Sequence, residues 1–477
     1  MYEKGPSLSP GALSPEHSRG HPLLFYFLGS TWMKIFGATR VSLHWFALTI
    51  SASLIILTYV IGFRVGSPIT GFFSALLLTI NEPFLAQSGL YLPEILLALL
   101  TLLTIQSYID KRKIYVIIYG TLALLTKESA IVIIFTLLVW QLTRSIIYRI
   151  DSLKSTVIWA SVIITPVIAL SFHFIYQKFI YDWFFFPEHM ALMSFDVNDI
   201  IYKMKLSFLE LFERQGIEWY MYSFALIASL LFHPYQRPWY RILIPLLYIA
   251  SIKVLFGRWT LPVIPTLIIT IACFTSLWIL KYLPLFRLDS RKGEFLNVSY
   301  LFTTGFLIFS SLNFYTDRYL LSIVPVFILG FAVYIEWALT NYHRYIIPSL
   351  LIFLSTIQFI LIRNDNKIGD TRLSYIDAIY VQHSLIQECE ERELYGEAIV
   401  ATFIEEFYMR NPMAGYLSSF NTFTNISTSL KDDTRYVIFT NASPNALLEK
   451  RDTLNHPLIK RVEKGVVWGE IHERIPN

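Results

Sequence analysis

The sequence predicts a membrane-embedded, all-α polytopic bundle of about twelve transmembrane helices, followed by a small C-terminal α/β domain outside the bilayer. Three observations predict it. Of the 477 residues, 55% are apolar and only 16% charged, whereas about a quarter of a soluble chain is charged. Twelve long apolar runs follow one another between residues 42 and 363; at about 20 residues per span, a dozen spans consume about 240 residues. From about residue 364 the runs give way to charged and alternating segments. This pattern excludes a soluble enzyme with one anchor. It also excludes an outer-membrane barrel, whose strands alternate apolar and polar residues. Two cysteines, Cys273 in an apolar run and Cys389 in a polar one, give no disulfide framework. A net charge of +4, carried mostly in loops, is topological information and not the footprint of a nucleic-acid partner.

Taken in order, residues 1–41 form an outer segment. Residues 1–20 are rich in Pro, Gly and Ser and lack the basic and apolar regions of a signal peptide, so they read as an extended loop. His21 to Gly37 is apolar and aromatic but short, with Lys34 near its end, and reads as a helix lying in the membrane interface. The bundle of residues 42–363 holds runs at 42–63, 69–85, 91–109, 113–126, 129–147, 155–177, 217–233, 239–256, 261–280, 296–312, 319–339 and 344–363. Lys and Arg accumulate in short cytoplasmic loops, which gives a test of sidedness. With residue 1 outside, the inner loops carry 14 basic residues, from Arg64 and Lys111 to Lys292 and Arg344, and the outer links seven. The same parity predicts a further helix upstream of Met1, since a chain with an outer N-terminus and no signal sequence is hard to deliver.

Residues 364–477 read as an outer α/β domain. EAIVATFI from Glu397, RYVIFTN from Arg435 and VVWGEIHERI from Val466 are strand-like, with helical patterns near 376–394 and 443–454. There is no fixed-period repeat, glycine-rich nucleotide loop or Cys/His metal spacing.

Ionisable residues inside a bilayer cost about 2.5–3.5 kcal/mol each on insertion scales, so their positions are informative. They fall mostly near the predicted outer face: Glu82, Glu94, the Lys127–Glu128 pair between two short runs, Arg258 in RWTLPVIP and Arg318 in RYLLSIVP. Asp182, Glu188 and His189 lie among aromatics in the long outer loop. Carboxylates and cations gathered at one surface suit a lipid-linked phosphate donor: a cation holds the phosphate and a carboxylate takes a proton from an incoming hydroxyl. Plainer roles stand beside these. His21 could be a solvated loop histidine, Glu94 a helix N-terminal acid, Lys127 and Glu128 a snorkelling pair, and Asp182, Glu188 and His189 a solvated loop face.

HPLLFYFLGSTWMKIFG, INEPFLAQSGLYLPEILLALLTLL, LALLTKES and RYLLSIVP, in that order among spans, resemble the GT-C membrane glycosyltransferases. The branch is that of the bacterial relatives of dolichyl-phosphate-mannose protein mannosyltransferases and of the lipid A aminoarabinose transferase. The resemblance covers about residues 15–365 and implies a GT-C bundle. It implies a glycosyltransferase moving a sugar from a polyprenyl-phosphate donor to a glycan, lipid or protein acceptor hydroxyl, with inversion, in a bacterial inner membrane. By the same resemblance His21 stands in the place of the family's phosphate-facing base, Glu94 in that of an acid opening a later span and, with Glu3, is expected to be catalytic, and Lys127, Arg318 and Tyr319 stand in those of donor-phosphate contacts. Arg258, Asp182, Glu188 and His189 are left as possible substrate contacts. The family's first span and catalytic Asp would precede residue 1, which leaves Glu3, then Glu16, as the nearest acids. No cofactor is implied and no metal is indicated; membrane lipids are partners and nucleic acid is not. A transporter or flippase of lipid-linked sugar, or an inactive membrane scaffold, are the alternatives.

Overall fold

The structure, a computed structural model, describes residues 5–208, 210–211, 290–313, 316–338, 356, 360, 367–442, 451 and 456–474. They fall into two units, Met1–Arg363 and Asn364–Asn477. Among the described residues four helices are long and apolar enough to cross a membrane, and the chain is an integral membrane protein. The expected runs at 217–233, 239–256 and 261–280 lie outside the described residues, as do, but for single positions, the pattern near 443–454 and the run at 344–363.

Helix α1 (Leu24–Phe36) follows the N-terminal loop and buries Leu24, Phe25, Gly29 and Ser30 while Ile35 and Phe36 stay exposed. α2 (Arg40–Val65) starts where the Thr39 hydroxyl accepts the Ser42 amide, an N-cap bond. α3 (Pro68–Thr79) is capped by Ser67 and has Pro at its first position. The expected run 69–85 is broken here, because Asn81 accepts the Phe84 amide and opens a separate short helix, α4 (Glu82–Gln87).

α5 (Glu94–Ile109) is the central helix, buried along nearly all its length. α6 (Lys113–Thr126) and α7 (Ile131–Ile146) are separated by Lys127 in extended conformation and a 3-10 turn, Glu128–Ala130. α8 (Leu153–Tyr181) buries Thr156, Trp159, Ile163, Pro166, Leu170, His173 and Gln177, a stripe spaced three and four residues apart. Its opposite face, with Val157, Ile164, Ile168, Phe172, Ile175 and Phe179, is exposed and apolar. A soluble helix reverses that arrangement; lipid explains it. Beyond come the short α9 (Pro187–Ala191), α10 (Val197–Phe208), α11 (Arg291–Leu312), a 3-10 turn at Asp317–Ser322 and α12 (Val324–Ala338).

An ionic network closes the end of α5 remote from Glu94. Asp110 is bridged by Arg291 (2.9 Å) and Arg64 (3.9 Å). Buried Glu294 accepts from Lys111 at 2.6 Å and Arg144 at 3.1 Å, and Arg144 reaches Asp151 at 2.8 Å. The sequence counts these cations among the 14 basic residues of the inner loops but does not reveal their acidic partners.

The second unit is a five-stranded sheet of order β2-β1-β3-β5-β4, with β1 (Ile399–Val400), β2 (Ile426–Ser427), β3 (Tyr436–Thr440), β4 (Leu458–Lys464) and β5 (Val467–Glu473). β1 pairs parallel with β2 and β3, while β5 pairs antiparallel with β3 and β4. Helix α13 (Tyr375–Glu391) buries Val381, Leu385 and Ile386 in the same core as Ile399, Ile438 and Ile471. The expected strand from Glu397 ends at Val400, because Thr402 is the N-cap of α14 (Phe403–Arg410).

Candidate functional site

The site is built by three breaks in helical structure in the membrane unit. The N-terminal loop turns at Gly20, whose φ of +71° is open to glycine at no steric cost. Gln177, near the end of α8, donates to the Gly20 carbonyl at 3.3 Å, and the Tyr181 hydroxyl donates to the Pro10 carbonyl at 3.2 Å. This anchoring places His21 over the α6–α7 break, where its Nδ1 lies 2.9 and 3.0 Å from the two oxygens of Glu128.

At the same break the Lys127 side chain turns inward. Its Nζ donates to Oε1 of Glu94 at 3.0 Å and lies 3.8 Å from the centre of the Tyr319 ring. Arg318, on the 3-10 turn before α12, brings Nε to 3.7 Å from the same Glu94 oxygen and its Cζ to 5.7 Å from the Tyr319 ring. Glu94 is 2% exposed and Lys127 6%, so this ion pair is desolvated and its loss would strand a buried charge. Among the described residues Oε2 of Glu94 accepts no hydrogen bond. Glu94 also opens α5, where the helix dipole favours a carboxylate.

The residues expected in the long outer loop divide. His189, on α9, has its ring centre 5.0 Å from that of His21, with the Phe186 ring edge-on at 5.3 Å. Burial holds its pKa below the usual imidazole value, with His21 adding to the shift. Asp182 instead ends α8 in left-handed conformation and binds Lys178 of its own helix at 2.6 Å, with its side chain 96% exposed. Glu188 is exposed. Glu3 and Arg258 lie outside the described residues, as does the side chain of Glu16.

Two members of the site are ones the sequence left in the background. Glu128, for which the sequence offers a place in a snorkelling pair between two spans, is the partner of His21. Tyr26 went unnoticed: burial first, then the charges of Glu94 and Glu128, push its phenol up to about 12, which places it in the field of both carboxylates. Only the juxtaposition of residues distant in sequence reveals either.

Chemically, the arrangement can receive an anion. Lys127 and Arg318 offer charge-assisted donors beside an aromatic face, and His21 adds a third donor held by Glu128. No family model matches the chain and no curated protein does. Among solved structures it is similar to ArnT from Cupriavidus metallidurans in the apo state, at 11% identity and a TM-score of 0.48, over 96% of this chain and 88% of that one. It is likewise similar to ArnT from Cupriavidus metallidurans bound to undecaprenyl phosphate, at 12% identity and a TM-score of 0.46, with the same shares covered.

Proposed function

We propose that the chain is a membrane glycosyltransferase that moves a sugar from a polyprenyl-phosphate donor to an acceptor hydroxyl at the outer face of a bacterial inner membrane, with inversion. The observation that carries this reading is the buried Lys127–Glu94–Arg318 cluster against Tyr319. A cation pair at that level of a lipid-facing bundle suits a phosphate whose isoprenoid tail remains among the helices. In one displacement the acceptor oxygen bonds to the anomeric carbon as the bond to the phosphate oxygen breaks. Lys127, Arg318 and His21 take up the charge that the departing phosphate gathers.

We assign the leaving-group half of the reaction to these residues. Glu94, engaged by two cations, is proposed to position them. A carboxylate of the N-terminal segment, Glu3 in the first place, is proposed to take the acceptor proton. His189 is proposed as a contact to the phosphate or sugar, and the C-terminal unit as an acceptor-binding element on the outer side.

The test is transfer of radiolabelled sugar from polyprenyl-phosphate donors in membranes holding the full chain. Lys127→Ala and Arg318→Ala are each expected to lose about 10²–10³-fold in rate. Absence of transfer from several donors by well-expressed protein, or transfer indifferent to both substitutions, would overturn the reading.

A further inference from the structure

The His21–Glu128–His189 cluster contains more than a phosphate contact needs. Each residue offers one ligand atom, and these atoms all lie within 4.8 Å of one another. The three come from three separate segments: the N-terminal loop, the α6–α7 break and α9. Two imidazoles and one carboxylate form a borderline-soft set of the kind that holds a divalent transition ion. Tetrahedral zinc with bonds of about 2.0–2.2 Å requires its ligand atoms roughly 3.3–3.6 Å apart. The His21–Glu128 pair, at 2.9 Å, opens by about 0.5 Å to reach that spacing, and a separation at the 4.8 Å limit closes by about 1 Å.

The surroundings suit an ion as well. All three residues are half-buried, and Phe186 packs edge-on against His189, which fixes the ring without taking a ligand atom. Sequence reading could not find the set, because His21, Glu128 and His189 share no ligand spacing.

We propose that His21, Glu128 and His189 form a three-ligand site for a divalent ion of the zinc type, its fourth position open to a phosphate oxygen. The three-ligand site stands without the function proposed above; the identity of the fourth ligand rests on it. Three protein ligands with an open position are the arrangement zinc adopts where it acts on a substrate. There it would polarise a phosphate oxygen, one residue along the chain from Lys127.

The experiment uses the full chain in detergent, stripped with a chelator and titrated with Zn²⁺ by calorimetry and with Co²⁺ by visible absorption. One equivalent is expected, with the ligand-field bands of four-coordinate Co²⁺. His21→Ala and His189→Asn should each weaken binding at least about tenfold, while His17→Ala, an exposed histidine of the same loop, leaves it unchanged. Monodisperse elution of each variant separates lost ligation from lost folding, and Glu128→Gln gives an independent isosteric probe. Added polyprenyl phosphate should shift the Co²⁺ bands, and a spectrum indifferent to it overturns the open fourth position. No stoichiometric binding, or binding insensitive to both histidine variants, overturns the site itself. Stoichiometric binding in a chain without transfer activity would retain the site and reject the transferase reading; transfer without metal binding would do the reverse.

Discussion

Glu94 and Lys127 set the terms at the residue scale, because a buried pair is strongly destabilising to break yet nearly neutral to remove as a unit. Lys127→Met leaves the Glu94 carboxylate buried with Arg318 at 3.7 Å as its remaining cation. The expected cost therefore falls at the lower end of about 3–5 kcal/mol. Adding Glu94→Gln should restore most of the thermal midpoint in detergent while sugar transfer stays lost; a double variant no more stable than Lys127→Met would mean that the pair is not coupled as the geometry requires. Asp182 provides the contrast. Bound, among the described residues, only to Lys178 of its own helix, with its side chain almost fully exposed, Asp182 is expected to tolerate Asp182→Asn with melting and transfer as they were, and a drop in transfer would restore it to the site. The two acids looked alike in the sequence, each charged and near an expected outer face. Burial decides between them, and burial is a property of the neighbours: Glu94 is covered by elements that begin more than thirty and more than two hundred residues away.

Helix pairs are the next scale, and α2–α3 shows how close packing replaces apolar burial as the force between helices in lipid. A Cβ on Gly62 would lie 2.7 Å from the Cα of Gly71, and one on Gly71 would lie 2.5 Å from the Tyr59 carbonyl oxygen. Both contacts are with backbone, so no rotamer change relieves them. Gly62→Leu and Gly71→Leu should each separate the two helices, lowering the detergent melting midpoint and broadening elution, whereas Gly37→Ala, with nothing within 4 Å, should pack no differently although its positive φ strains the turn. Equal melting of Gly62→Leu and the parent would show that the approach is not needed. Helices of this kind were legible in the sequence because lipid demands unbroken apolar runs; expectation and structure nearly coincide at α2 and α6. What the runs hid were the local breaks. Asn81 and Pro83 divide the run at 69–85, and the charged edge strand β4, exposed over most of its length, has too little apolar alternation to register as a strand.

At the scale of the whole molecule, two charge clusters of the membrane unit sit at the two ends of α5. Sixteen residues of helix at about 1.5 Å each separate Glu94 from Asp110 by about 24 Å, so the candidate site and the Arg–Asp–Glu network lie at opposite ends of one buried helix. The C-terminal unit carries its own buried carboxylate, Glu470, and this yields a pH prediction. Burial alone would raise its pKa, but hydrogen bonds from Arg451, His472 and Arg461 outweigh burial and bring it down to about 2. A carboxylate whose folded pKa lies below its unfolded value stabilises the fold fully above the unfolded value, near 4.5, and loses that contribution as pH falls towards 2. Cys389, buried in the same core, reports the loss: in a Cys273→Ser chain its modification by an acid-active disulfide reagent should accelerate through this window. Glu470→Gln should modify faster at neutral pH and accelerate less as the solution is acidified. Glu405, whose burial shifts its pKa upward, titrates in both chains and cancels from the comparison. Parallel pH profiles for the two chains would mean that the Arg451–Glu470–Arg461 cluster contributes nothing to holding β4 against β5.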